Sequence, residues 1–326
     1  MQTIELPGSG RRTTRLGFGC SSIMGGMGRK QSLHTLEWAF DAGIRHFDVA
    51  PMYGFGAAEA CLGEFLRRHA GDVTVTTKFG IPPAKNTGFM NMARTLARPL
   101  IKAVPALKAR AQRAASSVAA TPAQRDLSAA AAERSLKNSL RQLCVDRVDV
   151  FLLHDATLDE VRNAELLNFL EKAKQDGSVG CFGIGTDRKH AADIVKEAPQ
   201  FAGVVQQEWS VFDPVPTGEA FHIHHRSLAH NRTRLQMFFE SRQDVAAQWS
   251  LAVDADLKQP EVLTELMMRA ALLNNQGGIV LFSSKDRAHI RANALLSEPS
   301  PADAKADLLY RLVQRETDNI PQRNTA

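Results

Sequence analysis

The chain is poor in cysteine, tyrosine and tryptophan, and it has no long apolar run. Its 326 residues include 4 Cys, 2 Tyr and 3 Trp. The cysteines show no CxxC or histidine-paired spacing, so we expect reduced, mostly buried thiols and no disulfide framework. A transmembrane helix needs about 18 consecutive apolar residues, and the sequence has no such run. We therefore expect no membrane partner.

The charge of the chain is mild, with a formal net value of +5. A nucleic-acid-binding surface would need clustered basic residues with aromatic residues among them, so we expect no nucleic-acid partner. The first residues lack the basic and then apolar pattern of a signal peptide, which favours a cytoplasmic protein. A hydrophobic content of 44% allows a large core, and α/β barrels occupy about 250 residues as one unit. We expect a single domain over residues 1–326.

Strand-like and helix-like patterns alternate along the chain. The predicted strands are residues 16–20, 45–49, 73–78, 147–153, 179–186, 203–208, 221–225 and 278–282. The predicted helices are one from a cap at Ser32 to Gly43, then 57–68, 128–143, 158–175, 189–198, one near Asp244, 261–274, 287–296 and 302–313. Helical connections of this length require parallel pairing. The alternation therefore predicts a parallel α/β fold, preceded by a hairpin or cap at residues 2–15.

Residues able to transfer protons stand at the ends of three predicted strands. Asp48 ends one strand and Tyr53 follows it, Lys78 ends the next, and His154 ends the strand after that. In parallel α/β folds, and in barrels above all, the chemistry lies at the carboxyl ends of the strands. We therefore predict that these four residues form an active site.

This tetrad, with Leu16-Gly-Phe-Gly19 before it and Ser283-Ser284…Asn293 after it, closely resembles the aldo-keto reductases. The resemblance covers roughly residues 10–296 and is loose from residue 216 onward. It implies a (β/α)8 TIM barrel. It also implies NAD(P)H-dependent reduction of an aldehyde or ketone, or oxidation of the corresponding alcohol.

The resemblance matches catalytic roles that the chemistry of the four side chains supports. Tyr53 would be the proton donor, and Lys78 would lower its pKa because a neighbouring cation favours the phenolate. Asp48 would hold Lys78 charged and oriented, and would also border the cofactor. His154 would hydrogen-bond the substrate oxygen and fix its angle toward the hydride.

The residues expected around the nicotinamide depart from the family pattern. Gly183-Ile-Gly-Thr-Asp187 stands where the family has Gly-Val-Ser-Asn, so Gly185 lacks the side chain that usually holds the carboxamide, and Thr186 replaces an asparagine. Gln206 matches the family glutamine. His225 takes the place of the stacking aromatic residue, and Gly19, in the first predicted strand, is a further candidate cofactor residue.

The last strand and its loop resemble the family's adenosine-phosphate loop. The candidate cofactor residues there are Ser283, Ser284, Lys285, Arg287, His289 and Asn293. A helix N-terminus with nearby cations suits a phosphate, and Lys285 and Arg287 supply charge for a 2′-phosphate. We therefore expect NADP(H), with NAD(H) as the alternative. No GxGxxG fingerprint occurs, as expected if the cofactor lies across a barrel mouth.

The pattern fails over residues 80–127, a long basic insertion after the third strand. No acidic residue occurs from Val73 to Arg125, whereas nine basic residues do: Lys78, Lys85, Arg94, Arg98, Lys102, Lys108, Arg110, Arg113 and Arg125. One interpretation is a solvated loop. The other is a lid that receives an anionic carbonyl substrate. The sequence does not decide between them.

Two other functions stay open beside the reductase. One is a cofactor-binding sensor or regulatory subunit with little turnover, and the other is an enzyme that uses the bound cofactor transiently. His222, His224 and His225 could suggest a metal site, but no carboxylate or cysteine cluster accompanies them, and we expect no metal. We expect a monomer or a weak homo-oligomer.

Overall fold

The computed structural model describes residues 1–25, 27–69, 71–83, 125–317 and 320. Within them, eight parallel strands close into a barrel in the cyclic order β10-β3-β4-β5-β6-β7-β8-β9. The barrel strands are β3 (Leu16–Gly19), β4 (His46–Asp48), β5 (Thr74–Phe79), β6 (Val148–His154), β7 (Val179–Gly185), β8 (Val204–Glu208), β9 (Phe221–His225) and β10 (Ile279–Phe282). An antiparallel hairpin precedes them, formed by β1 (Thr3–Glu5) and β2 (Arg12–Thr14). The predicted (β/α)8 barrel is confirmed.

Helices form most of the connections between the strands. They are α1 (Arg29–Asp41), α2 (Ala58–His69), α3 (Ala129–Leu143), α4 (Leu158–Val161), α5 (Ala164–Gln175), α6 (Arg188–Glu197), α7 (Ala229–Ser241), α8 (Gln243–Val253), α9 (Pro260–Leu273), α10 (Arg287–Leu295) and α11 (Ala302–Glu316). Over the ranges that the structure describes, no helix has the length and apolar character needed to cross a bilayer. Residues 84–124 of the predicted basic insertion lie outside these ranges.

Two of the predicted helix boundaries were wrong for local reasons. α1 begins at Arg29, and Ser32 lies inside the helix, where its hydroxyl accepts a hydrogen bond from the backbone N–H of Met24 at 3.0 Å. The single helix predicted over residues 158–175 is two helices. Asn163 stands between them, and its side chain accepts from two backbone N–H groups in the first turn of α5. A cap in the middle of a helical pattern divides it.

Helix α7 was not predicted from the sequence. Its first half is polar and has no apolar residues at helical spacing, so the usual signal is missing there. Its buried residues, Leu235, Phe238 and Phe239, all lie in the second half and pack against α8 and α9 in a separate apolar cluster. Tertiary packing therefore determines this helix more than its own pattern does.

The barrel interior is filled with apolar side chains, and the hairpin closes one end. Val150, Leu152 and Ile223 are buried there, together with Leu6 from the hairpin loop. Val204 and Phe221, which begin their strands, belong to the same cluster. The hairpin therefore covers the amino-terminal end, and the carboxyl ends of the strands form the open face of the barrel.

Two histidines are buried away from that open face. His46 lies inside the barrel, with its ring nitrogens 2.9 Å from Thr74 Oγ1 and 3.1 Å from Thr76 Oγ1. His224 stacks on Trp209 with an interplanar angle of 7° and has no hydrogen-bond partner among the described residues. Burial lowers the pKa of His46 to about 4 and that of His224 to about 3. Both rings are neutral in the folded protein at neutral pH.

Acid should destabilise the fold through these histidines. Above pH 6.5, the ordinary histidine pKa, folded and unfolded chains both hold them neutral. As the pH falls toward 4, the unfolded chain binds protons that the folded chain does not, so the free energy of unfolding decreases. At about pH 5.5 each such histidine should lower the free energy of unfolding by about 1.4 kcal/mol relative to its value at high pH.

His224→Phe should keep the stack on Trp209 and remove one of these titrations. Urea unfolding at several pH values should then show a shallower decline in stability between about pH 6.5 and 5 than in the parent protein. The exposed His230→Asn is the matched control and should leave the slope unchanged. Identical slopes for His224→Phe and the parent would contradict the prediction.

Candidate active site

The four predicted catalytic residues lie together in the structure. Asp48, Lys78 and His154 stand at the carboxyl ends of the adjacent strands β4, β5 and β6. Tyr53 follows β4 in a short turn, Tyr53–Gly56. All four line one cavity of about 920 Å³ at the open face of the barrel. The fold therefore supplies the proximity that an acid–base site needs.

The turn that holds Tyr53 has an unusual backbone. Gly54 and Phe55 have φ values of 59° and 58°, in the left-handed region that side chains disfavour. A Cβ at position 54 would lie 2.5 Å from the carbonyl oxygen of Ile23, so Gly54 is required there. Phe55 has a side chain and takes the same conformation at a cost in energy. This turn determines where Tyr53 stands relative to the ends of β4 and β5.

Asp48 and Lys78 form a buried ion pair. Lys78 Nζ lies 2.7 Å from Asp48 Oδ1 and 3.2 Å from the carbonyl oxygen of Val49. The exposed fractions are 3% for Asp48 and 2% for Lys78. Burial lowers the pKa of Lys78, but Asp48 and then Tyr53 raise it by more, so the pKa is raised overall. Lys78 is therefore a cation in the free protein.

The pKa of Tyr53 is raised, which is opposite to the direction predicted from the sequence. Burial is the largest cause and raises the pKa, whereas Lys78 lowers it by less. Lys78 Nζ lies 5.1 Å from the centre of the Tyr53 ring. The sequence predicted the effect of the Lys78 cation on the pKa of Tyr53, but it did not predict the larger effect of burial. The phenol is protonated at neutral pH, as a proton donor has to be.

His154 is a neutral imidazole beside Tyr53. The two ring centres are 6.4 Å apart and the rings meet edge to face at 88°. Burial and then Lys78 lower the pKa of His154 to about 3. Its Nδ1 is buried and has no hydrogen-bond partner among the described residues. A neutral ring can donate one hydrogen bond and accept another, so His154 can bind a carbonyl oxygen without bringing a second charge.

The predicted nicotinamide residues also line this cavity. They are Gly19, Asp48, Thr186, Gln206 and His225. Burial is the main cause that lowers the pKa of His225, to about 4, so this ring is neutral as well. Gly185 lines the cavity too and offers no side chain to a ligand there.

The predicted phosphate residues are divided by the structure. Ser283 and Asn293 line the cavity, whereas Ser284, Lys285, Arg287 and His289 are not part of its wall. Asp286 caps α10 by accepting from the N–H of His289 at 2.9 Å, and the N–H of Asp286 donates to Ser284 Oγ at 3.1 Å. The helix N-terminus therefore has a carboxylate of its own beside the proposed phosphate position.

The same cavity is also lined by a group of polar residues that the sequence did not predict. They are Arg188, Glu208, Ser210, Asp213, Arg226, Ser227, Asn231 and Arg234. Arg188 pairs with Asp213 at 2.7 Å, and Arg226 pairs with Glu208. The hydroxyl of Ser227 is buried without a hydrogen-bond partner in the described part of the chain.

The position of some of these residues in the sequence could have revealed them. Arg188, Arg226 and Ser227 come directly after predicted strands, where a barrel places its site. Asn231 and Arg234 lie on α7, the helix that the sequence did not reveal, so no signal pointed to them.

A sequence model of the Aldo/keto reductase family matches residues 15–227, more than half of the chain. The chain belongs to the aldo/keto reductase family. The uncharacterized oxidoreductase YqkF of Bacillus subtilis is 23% identical over 205 residues, which are 62% of this chain and 54% of that protein. The chain spans about half the length of the curated relatives that it matches.

Solved aldo-keto reductases share the fold of this family member. One from Bacillus halodurans, in a holo form, superposes with a TM-score of 0.66 at 18% identity and covers 99% of this chain and 97% of its own. One from Klebsiella pneumoniae, in complex with NADPH, superposes with a TM-score of 0.60 at 18% identity over 99% and 97%. At these identities the likeness establishes the fold alone.

The aldo/keto reductase match includes the tetrad but not the phosphate loop. Residues 15–227 contain all four candidate catalytic residues and end two residues beyond His225. Residues 283–293 lie outside the match, so the adenosine-phosphate roles rest on the local pattern alone. The end of the family match at residue 227 agrees with the resemblance seen in the sequence, which is loose from residue 216 onward.

The three histidines of β9 do not face a common site. His225 lines the cavity, whereas His222 and His224 do not, because alternate residues of a strand point to opposite faces. Over the residues that the structure describes, no three His, Cys, Asp or Glu side chains are grouped so that they could hold a metal ion.

Asp48→Asn should destabilise this aldo/keto reductase by about 3–5 kcal/mol, because it leaves the buried Lys78 cation without its counter-charge. Urea unfolding of the cofactor-free protein measures this loss. The double variant Asp48→Asn with Lys78→Met removes the uncompensated charge and should recover part of the stability. If the double variant is as unstable as the single one, the loss does not come from the stranded cation.

Proposed function

We propose that this aldo/keto reductase reduces an aldehyde or ketone with hydride from NADPH, or oxidises the corresponding alcohol in reverse. One observation carries the proposal. A protonated Tyr53, a buried Lys78 cation and a neutral His154 meet in a single cavity at the open face of the barrel. A carbonyl that gains hydride at carbon needs a proton at oxygen, and these groups can deliver and direct it.

The cavity fits a large nicotinamide cofactor. Its volume of about 920 Å³ is at the upper end of the roughly 300–1,000 Å³ range of ligand pockets. The Ser227 hydroxyl in its wall is buried without a partner among the described residues. Bound NADP(H) would supply the hydride. Thr186, His225, Ser283 and Asn293 line the wall that would hold it.

The tetrad would then work on the substrate as follows. His154 donates a hydrogen bond to the carbonyl oxygen and holds it toward Tyr53. Tyr53 transfers its phenolic proton to that oxygen as negative charge develops there. Lys78 stabilises the phenolate that remains, and Asp48 keeps Lys78 charged and in place.

NADP(H) is proposed over NAD(H) on two grounds. Lys285 and Arg287 flank the start of α10, and a solved relative from Klebsiella pneumoniae binds NADPH. Neither base lines the cavity and Asp286 stands between them, so the preference depends on a bound 2′-phosphate drawing these side chains inward.

An anionic carbonyl substrate stays a prediction, because most of the bases behind it lie in residues 84–124, outside the described ranges. The described wall near the tetrad combines Ser21, Met52, Ile81 and Asp155. The cytoplasmic location and the monomeric or weakly associated state likewise remain predictions.

The direct test is titration of the purified protein with NADPH and NADH, followed by a panel of neutral and carboxylate-bearing aldehydes and ketones. Binding with oxidation of NADPH by a carbonyl supports the reductase. Binding without turnover on the whole panel favours the sensor alternative. The structural argument for that alternative is that Gly185 lines the cavity without a side chain that could hold the carboxamide. Failure to bind either cofactor would refute the proposal.

Tyr53→Phe should lower kcat by about 10²-fold or more while the Kd for NADPH stays unchanged, because the substitution removes the proton donor only. Tyr310→Phe is the matched control. It is the other tyrosine of the chain, and its hydroxyl donates to the carbonyl oxygen of Asp213 at 3.1 Å. Near-full activity of Tyr53→Phe would remove Tyr53 from the acid role.

Lys285→Ala combined with Arg287→Ala should weaken NADPH binding about tenfold and leave NADH binding nearly unchanged, because a 2′-phosphate is what the two cations would recognise. Fluorescence titration with each cofactor measures both constants. Equal weakening of the two cofactors would show that these bases do not recognise the 2′-phosphate.

A further inference from the structure

Gln206 of β8 bonds to Asp48 of β4 across the barrel. In the cyclic strand order these two strands lie opposite each other, four strands apart in either direction. Gln206 Nε2 lies 2.7 Å from Asp48 Oδ2, and Lys78 Nζ lies 2.7 Å from Asp48 Oδ1. Each oxygen of the carboxylate is therefore bonded, one to an amide and the other to a cation.

This second bond matters because the carboxylate is buried. The exposed fractions of Asp48 and Gln206 are both 3%, so little solvent contacts either group while the bond is in place. A buried acceptor without a donor keeps its full desolvation cost. A donor on Oδ2 favours the ionised carboxylate and fixes the plane of the group. Oδ1 is thereby aimed at Lys78.

Gly185 is the wall residue next to Gln206. It is the parallel neighbour of Gln206 in the sheet, and a Cβ there would lie 3.4 Å from Gln206 Oε1. The backbone does not require this glycine. At Gly183, by contrast, a Cβ would lie 2.0 Å from the carbonyl oxygen of Val204, so that glycine is needed for strand packing. A Cβ at position 185 would therefore touch Gln206 at an ordinary contact distance without disturbing the strands.

We propose that Gln206 is a positioning residue that holds Asp48, and through it Lys78, in the geometry that proton transfer by Tyr53 needs. This role differs from the nicotinamide contact that the family resemblance assigns to the same glutamine. It rests on the proposed function, because the tetrad must be the proton-transfer machinery for the positioning to affect turnover.

Gln206→Leu distinguishes positioning of Asp48 from contact with the nicotinamide, because the first role affects kcat and the second affects the Kd for NADPH. Loss of the donor to a buried carboxylate should lower kcat at saturating cofactor about tenfold, with the Kd for NADPH within about twofold of the parent value. Gln207→Leu is the matched control, since Gln207 is the adjacent buried amide and is not part of the cavity wall. It should leave both constants unchanged.

A change in the Kd for NADPH without a change in kcat would overturn the proposal. If Gln206→Leu weakens NADPH binding about tenfold or more while kcat at saturation is kept, the glutamine serves the cofactor and does not position Asp48. If Gln206→Leu and Gln207→Leu reduce kcat equally, the effect is general loss of packing and the proposal also fails.

Exchanging the amide and the carboxylate between positions 206 and 48 tests the hydrogen bond without cofactor or substrate. Gln206→Glu places two carboxyl groups against each other, and Asp48→Asn leaves one acceptor oxygen for two donors and removes the counter-charge of Lys78, so each single variant should be less stable. In the double variant the amide stands at position 48 and can donate to the carboxylate at position 206. The folded-to-unfolded ratio of that variant in urea should exceed the value expected from adding the single effects by about tenfold or more.

Additive effects in this cycle would show that the bond does not stabilise the fold, and would overturn the proposal. The cycle also separates this proposal from the proposed function. If the parent protein fails to oxidise NADPH with every carbonyl tested, the reductase assignment is wrong. The double-variant cycle still measures whether Gln206 holds Asp48.

Discussion

The site depends on one interaction, the buried ion pair between Asp48 and Lys78. Removing two charges from water is costly, and a buried pair is stable only when its remaining hydrogen-bonding groups are satisfied. Here the Val49 carbonyl accepts from Lys78, and Gln206 donates to Asp48. The charged pair in turn determines the state of its neighbours, because its cation lowers the pKa of His154 and opposes the effect of burial on Tyr53.

The barrel explains how residues far apart in sequence meet at this pair. Adjacent parallel strands deliver Asp48, Lys78 and His154 to one end, and β8 delivers Gln206 from the opposite wall. In the described part of the chain, the hairpin and the packed interior close the other end, and the cavity opens on the side where these residues stand. The family match over residues 15–227 includes all of these contacts.

Much of this was predictable from sequence, and the remainder was not for identifiable reasons. Strand ends are local signals, so Asp48, Lys78 and His154 could be placed correctly. The pKa of Tyr53 could not, because its direction depends on burial by the surrounding chain. The contact between Gln206 and Asp48 joins residues 158 positions apart, and no local pattern encodes it. The first half of α7 has no apolar residues at helical spacing, so the helix and the cavity residues on it were missed.

The proposed roles divide between the two halves of the barrel, and this division bears on how such a protein could evolve. The tetrad stands on β4, β5 and β6 or directly after them, whereas most candidate cofactor residues follow β7 to β10. Under these proposed roles, residues of the second half such as Gly185 and His225 could change without loss of the acid–base residues. Gln206 is the exception, since it belongs to the second half and bonds to Asp48 in the first. A change of cofactor would then be compatible with substitutions around position 206 but not at it.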